Sequence, residues 1–200
     1  SGAIENRQIT PDDLHPNTDG HALVAEVITD FLDRVYIQMY EEEAPGKMPE
    51  PLTANAYEHA KRYQNHNSRP VCNGFTADTA FKKYVNDAFR YGFTASQKGD
   101  SITFEVEGTE IAVQYRKSVN HPAPVAVAVV DGEEESAVTL DANFDETWGD
   151  CLYISTVAHH IEAGRHKVEI RLVETHENDA VPFYLVSVIA SDAYHGWKTE

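Results

Sequence analysis

The chain has 200 residues, which is enough for one large domain or for a short segment followed by a domain of ordinary size. Its 16 lysines and arginines against 33 aspartates and glutamates give a formal net charge of −17. A field of that sign repels phosphate backbones, and no apolar run reaches the ~20 residues needed to span a bilayer. Nucleic acid and membrane are therefore excluded as expected partners.

An amphipathic helix is predicted over residues 17–37. Asn17, Thr18 and Asp19, just after Pro16, are its candidate N-caps. The apolar residues recur at steps of three and four and form one stripe, consisting of Leu23, Val24, Val27, Ile28, Phe31, Leu32 and Val35.

Residues 38–70 lose this periodicity and are predicted to be a linker or an extended surface strap. The acidic run at 41–43 is followed by Pro45-Gly46 and by two prolines in residues 49–51. A short helix over residues 54–64 is the one regular element expected within this linker.

From Ser101 onward the apolar period changes to two, which is typical of strands. Turns such as Asp131-Gly132 separate the strands, and no helix-length crossover does, so the sheets are expected to be antiparallel. The pattern predicts a mainly β protein, with a β-sandwich over residues 71–192 and a tail over 193–200. The alternating faces predict that six side chains are buried, namely Ile102, Phe104, Val113, Val127, Ile170 and Val188.

The candidate catalytic residues lie in the segment Asp-Asp-Leu-His-Pro-Asn at positions 12–17. A histidine that takes a proton from a serine needs a carboxylate to hold its tautomer and to stabilise its charged form. Because Asp12 and His15 are three residues apart, a single loop can present the whole base assembly. The alternative interpretation is a helix-entry turn without chemistry.

This segment, with Gly20 and the helix that follows, resembles the last conserved block of SGNH/GDSL hydrolases: Asp-x-x-His-Pro, then a glycine and a long amphipathic helix. The resemblance implies that residues 1–37 are the C-terminal part of an α/β hydrolase domain. It further implies that His15 is the general base and that Asp12 orients it. Asp13 receives no role.

A second segment, Gly-Asp-Ser-Ile-Thr at 99–103, is identical in sequence to the conserved block that carries the nucleophilic serine in the same family. In that family the serine ends a buried strand, begins a helix and lies far before the Asp-x-x-His block. Ser101 instead follows a polar stretch and leads into an alternating strand, so a turn is expected and Ser101 is rejected as the nucleophile. The family's oxyanion-hole blocks are absent as well. The chain alone is therefore expected to be inactive, and its missing hydrolase domain is its first expected partner.

The region from about Pro70 onward is similar to the jelly-roll domains that accompany some bacterial SGNH carbohydrate esterases. This resemblance depends on the rhythm of the strands, the hairpin over 104–113 and the segment 144–149. It implies a parent enzyme that hydrolyses an acyl ester, such as an O-acetyl group on a carbohydrate. The aromatic residues that could stack on a sugar are Trp148, Tyr115, Tyr153 and Trp197, with Trp148 favoured because it lies in a loop; each is alternatively a core or rim residue.

No metal and no cofactor are predicted. The acidic turns at 131–135 and 141–150 are interpreted as solvated loops rather than calcium sites. His159 and His160 are adjacent, so on a strand they should point to opposite faces and not share one ion. Cys72 and Cys151 could form one disulfide, although a pair of buried thiols is favoured.

Two further functions stay open beside that of a hydrolase fragment. The first is a non-catalytic carbohydrate-binding module, in which residues 1–37 are only a helical extension. The second is a structural domain for docking or oligomerisation. Because the helix over 17–37 lacks the catalytic sheet on which it would pack, a homodimer through this helix is also expected.

Overall fold

The computed structural model describes residues 4–41, 57–81 and 87–192. They divide into two compact units, Ser1–Glu50 and Pro51–Glu200. Among the described helices, none combines the length and the apolar character required to cross a bilayer.

The N-terminal unit consists of a one-turn helix α1 (Asn6–Ile9) and a long helix α2 (Thr18–Glu41). Asn17 is the N-cap of α2, since its side-chain Oδ1 accepts a hydrogen bond of 2.9 Å from the backbone N–H of Gly20. The predicted helix is confirmed, and it continues beyond residue 37 to Glu41. Five of the seven residues of its apolar stripe are exposed, and Phe31, for example, is 62% exposed.

The second unit is an antiparallel β-sandwich, which confirms the predicted fold class. The described residues of this unit form eleven strands: β1 (Glu58–Tyr63), β2 (Val71–Asn73), β3 (Thr76–Ala77), β4 (Phe93–Ala95), β5 (Ser101–Gly108), β6 (Glu110–Lys117), β7 (Val125–Val130), β8 (Val138–Asp141), β9 (Cys151–Ala158), β10 (Gly164–Glu174) and β11 (Phe183–Asp192). A 3-10 turn, Glu134–Ser136, precedes β8.

Two sheets face one another in this sandwich. One has the order β3-β4-β11-β6-β9, with β1 also paired to β11, and the other has the order β2-β5-β10-β7-β8. Every pairing between these named strands is antiparallel. The long strands β10 and β11 lie inside their sheets, and together with β5 and β6 they carry many of the apolar residues that meet between the layers.

The core between the sheets confirms five of the six predicted buried residues. Ile102, Phe104, Val113, Ile170 and Val188 are all at most 1% exposed. The prediction for Val127 is wrong, because this side chain is only half-buried while its neighbours Ala126 and Ala128 face the core. The valines of β7 suggested that their face is the inner one, but the alternation of the strand places the alanines towards the core.

The prediction of a helix over 54–64 is wrong for its described part, because Glu58–Tyr63 forms strand β1. This strand pairs with β11, and the guanidinium Nε of Arg62 donates a hydrogen bond of 3.0 Å to the hydroxyl of Ser187. Pairing with the sheet overrides a weak local helix preference. The predicted linker over 38–70 therefore contains the first strand of the sandwich.

The two cysteines do not pair. Cys72 in β2 is exposed and Cys151 at the start of β9 is half-buried, and both are free thiols. The expectation of two buried thiols is therefore wrong for Cys72, which lies on an edge strand of its sheet.

Candidate active-site loop and aromatic surface

The loop between α1 and α2 brings the two predicted catalytic residues together. The His15 Nδ1 lies 2.7 Å from the Asp12 Oδ2. The other carboxylate oxygen of Asp12, Oδ1, accepts hydrogen bonds from the backbone N–H groups of His15 (2.7 Å) and Leu14 (3.1 Å). One carboxylate thus fixes both the turn and the imidazole that the turn carries.

These hydrogen bonds act on the protonation state of the acid. The hydrogen bond with the His15 side chain, followed by those from the backbone N–H groups of His15 and Leu14, holds the pKa of the Asp12 carboxyl well below its usual value. Asp12 therefore remains a carboxylate at neutral pH. An ionised partner favours the tautomer in which the Nδ1 of His15 carries the proton.

The loop is held by contacts with the helices on both sides. Asn17 donates from its side chain to the carbonyl of Gln8 (2.8 Å) and from its backbone N–H to the carbonyl of Ile9 (2.9 Å). Gly20 is buried, and a Cβ atom there would lie 2.3 Å from the carbonyl oxygen of Ile9. The glycine of the motif is therefore needed for the close approach of α2 to α1.

Asp13, for which the sequence predicts no role, shapes the backbone of the loop. It has a left-handed φ of 61° and accepts a hydrogen bond of 3.1 Å from the Asn6 side chain at its Oδ1. This conformation reverses the chain between Asp12 and His15, which allows the imidazole to fold back onto the carboxylate.

The resulting dyad can act as a base but contains no nucleophile. With Nδ1 held by Asp12, Nε2 is the His15 atom that can take up a proton, and the side chain is 77% exposed. Residues 4–41 contain no serine. A serine hydroxyl for this base must therefore come from outside residues 4–41.

Ser101 occupies the position that the sequence predicts for it. It is the first residue of β5, paired with Arg171 of β10, and it follows a turn in which Gly99 has a φ of 93°. The Asp100 carboxylate closes this turn by accepting from the backbone N–H groups of Ser96 and Gln97. Gly-Asp-Ser is thus a turn entering a strand, and the residues that follow it form β5 rather than a helix.

No family model and no curated protein matches the chain, but solved structures do. One is a two-domain esterase active on acetylated mannans, co-crystallized with mannopentaose; it is 60% identical, and the match covers 97% of this chain and 52% of that one with a TM-score of 0.87. Another is a two-domain esterase active on acetylated mannans, 61% identical over 96% of this chain and 52% of that one, with a TM-score of 0.89.

Over nearly its whole length the chain is therefore similar to one part of a two-domain esterase, with an N-terminal helical unit followed by an antiparallel β-sandwich. The resemblance recognised in the sequence is confirmed. The chain spans about half the length of the two-domain esterases that it matches.

The accessory sandwich presents an exposed aromatic surface around the end of β6, formed by Phe144, Trp148, Tyr153 and Lys117, which we call the aromatic surface. Trp148 is 67% exposed and packs edge-to-face on Phe144, with ring centroids 5.2 Å apart. The Lys117 Nζ lies over the rings of Phe144 (5.8 Å) and Tyr153 (4.9 Å), and Tyr153 is 42% exposed. Three of the four predicted sugar-stacking residues belong to the described part of the chain. Two of these, Trp148 and Tyr153, lie on this one exposed surface.

The third residue, Tyr115, is buried. It is 2% exposed and stacks on the ring of Phe183, with centroids 5.8 Å apart and planes at 12°. The prediction that Tyr115 stacks on a sugar is wrong, because its β6 position faces the core. Phe144 and Lys117 complete the aromatic surface and were missed, since only the fold brings the 144–148 loop to the end of β6. Trp197 lies outside the described residues.

The prediction that His159 and His160 point to opposite faces of a strand is also wrong. Both residues follow the last residue of β9 rather than lying within the strand, and their rings stack with centroids 4.5 Å apart. Both contact the carboxylate of Glu110. In the acidic turn after β7, the Asp131 carboxylate is engaged by the backbone N–H of Lys167 (2.8 Å) and by the His166 ring (2.6 Å).

Proposed function

We propose that this chain supplies the general base and its orienting acid to a serine ester hydrolase. The serine and the oxyanion donors belong to a hydrolase segment outside these 200 residues, which is then the chain's first partner. The single observation that carries the proposal is the hydrogen bond between His15 and an ionised Asp12 on the loop before α2. The 60% identity to two-domain esterases supports it.

The residues of this chain would act in four proton transfers, two as the acyl-serine forms and two as it is hydrolysed. As the serine oxygen attacks the acyl carbon, the Nε2 of His15 takes the hydroxyl proton, and Asp12 stabilises the imidazolium that forms. Nε2 then returns this proton to the departing alkoxide oxygen, which leaves as an alcohol and produces an acyl-serine. A water molecule, deprotonated by the same Nε2, attacks the acyl-serine; the serine takes the proton back, and the carboxylic acid is released.

The substrate that we propose is an O-acetyl ester on a carbohydrate, and on mannan in particular. This follows from the activity of the matched esterases on acetylated mannans. The leaving group is then a sugar hydroxyl, and the products are acetate and the deacetylated glycan.

The test uses the longer protein in which this chain is joined to the rest of the hydrolase domain. Deacetylation of acetylated mannan is measured by acetate release for His15→Ala and Asp12→Asn, with His21→Ala as the matched control on the exposed start of α2. Losing a member of such a triad lowers kcat by about 10⁴-fold or more, with the nucleophile still present. His21→Ala should retain full activity. A loss below tenfold in His15→Ala would contradict the proposal.

A second function, carbohydrate binding by the sandwich, is favoured by the aromatic surface. Exposed aromatic rings present flat apolar faces that can cover the faces of sugar rings, and Trp148 is the largest of them. The partner would be the same mannan that carries the ester. The alternative without a ligand is a docking domain.

Affinity electrophoresis of the chain in gels containing acetylated mannan tests this second function. Wild type should be retarded, and Trp148→Ala should migrate as in a gel without mannan. Phe81→Ala is the control, because Phe81 is 92% exposed but does not belong to the aromatic surface. Equal retardation of wild type and Trp148→Ala would place binding elsewhere, and no retardation of wild type would favour a docking role.

A further inference from the structure

Three polar side chains meet at the far end of β6 from the aromatic surface: Glu110, His159 and His160, which we call the Glu110 cluster. Glu110 is the first residue of β6, whereas the two histidines follow the end of the neighbouring strand β9. The backbone turns at His160, which has a left-handed φ of 51°. This turn releases both imidazoles from the alternation of the strand and lays them side by side, 7° from parallel.

Glu110 provides a fixed anionic anchor for this cluster. Its residue exposure is 3%, although it carries a carboxyl group. The Oε1 atom accepts a hydrogen bond of 3.0 Å from the backbone N–H of His160 and lies 2.8 Å from the Nδ1 of that residue. The Oε2 atom contacts the Nδ1 of His159. A buried carboxylate is costly unless it is paired, so its partners are restricted to a small set of geometries.

The imidazoles, in contrast, are open to solvent. The side chains of His159 and His160 are 58% and 76% exposed, so an ion can reach them directly. The three side chains each offer one donor atom, and these atoms lie within 4.8 Å of one another. Ligand atoms about 2.0–2.2 Å from a tetrahedral zinc ion are separated by roughly 3.3–3.5 Å, which small rotations of two exposed rings can reach.

The donor set selects the class of ion. Two imidazole nitrogens and one carboxylate oxygen suit zinc and its transition-metal neighbours, whereas calcium and magnesium require mostly oxygen ligands. Three protein ligands on the surface leave a further coordination position for water or an external ligand. Among the described residues, this is the only group of three such side chains with donor atoms so close together.

We propose that Glu110, His159 and His160 bind one divalent transition-metal ion of the zinc class at the edge of the sandwich. The ion replaces the protons that the Nδ1 atoms share with the carboxylate. It links the start of β6 to the loop between β9 and β10, where the backbone N–H of Ile161 already donates to the carbonyl of Thr109 (3.1 Å). The proposal is independent of the ester hydrolase function and of the aromatic surface.

Zinc chloride titrated into the whole 200-residue chain, followed by calorimetry, tests this site. All proteins carry Cys72→Ser, because an exposed thiol is itself a zinc ligand. One zinc ion should bind per chain, and the double variant His159→Gln/His160→Gln should lose affinity by about 100-fold or more, since even outer partners of metal ligands contribute 10–100-fold. Both side chains are exposed, and the glutamine amides that replace them can still donate hydrogen bonds to the buried carboxylate of Glu110, so the double variant should fold.

The matched control is His176→Gln, because His176 also contacts two carboxylates, those of Glu174 and Asp179, but has no second histidine beside it. This variant should bind zinc as the wild type does. Zinc should also raise the Tm of the wild type and of His176→Gln but not that of the double variant. Equal affinities for the double variant and the control, or no binding by the wild type, would overturn the proposal and leave the cluster as a hydrogen-bonded clasp.

Discussion

The two units of the chain differ in how far their apolar side chains are buried. In the sandwich, Ile170 of β10 is fully buried between the two sheets, whereas Ile28 of α2 is 52% exposed. The sandwich therefore has an apolar core of its own. The N-terminal unit instead presents an exposed apolar stripe and the Asp12–His15 pair without a serine, and the hydrolase domain that we propose as its partner would account for both features.

The largest expected effect comes from truncating matched isoleucines in the two units. Ile170→Ala should lower the free energy of unfolding of the sandwich by about 2–5 kcal/mol, because it leaves a cavity in a packed core. Ile28→Ala should change it by less than about 0.5 kcal/mol, as for other exposed positions. Urea unfolding followed by tryptophan fluorescence measures both. Equal losses would show that the helix stripe packs on the sandwich and that the two units are not independent.

The second expected effect is self-association through α2. An exposed stripe that includes Val27, Phe31 and Leu32 favours burial against a second copy of the chain when the hydrolase domain is absent. Sedimentation velocity should show a dimer for the wild type and a monomer for Phe31→Asp. Thr29→Asp, at a helix position outside the stripe, should stay dimeric.

A monomeric wild type would contradict this dimer. Deleting residues 1–37 then distinguishes the remaining possibilities. Loss of stability on deletion would mean that the helix docks on its own sandwich, and no loss would mean that the stripe has no partner in this chain.

The smallest expected effect concerns the pH at which the Asp12–His15 hydrogen bond is lost. Because the pKa of Asp12 is lowered in the folded loop, the bond contributes above the ordinary aspartate pKa and is lost as the pH falls through the lowered value. NMR of the Asp12 carboxyl carbon should show the ionised form well below pH 3.8. His15→Ala should move this pKa back towards the usual value, and His21→Ala should not. An ordinary pKa in the wild type would mean that the dyad is not formed.

Contacts between residues close in the sequence could be predicted, whereas contacts that depend on how distant strands pair could not. Asp12 and His15 are joined by one turn, so local spacing was sufficient to predict their contact. Tyr115 and Val127 were misassigned because the choice between the two faces of a strand depends on which sheet lies opposite. The Glu110 cluster was missed for a related reason. Glu110 and His159 are 49 residues apart, and their contact depends on the pairing of β6 with β9 and on where β9 ends.

Our central claim is that the N-terminal unit forms one part of a catalytic site, and that the nucleophile of this site lies outside the chain. An esterase assay of the 200-residue chain on an activated acetyl ester, with Ser101→Ala as its partner, tests this claim most directly. We predict no turnover above buffer for either protein. Turnover by the wild type that disappears in Ser101→Ala would contradict the claim, because Ser101 would then be the nucleophile despite its place at the start of β5.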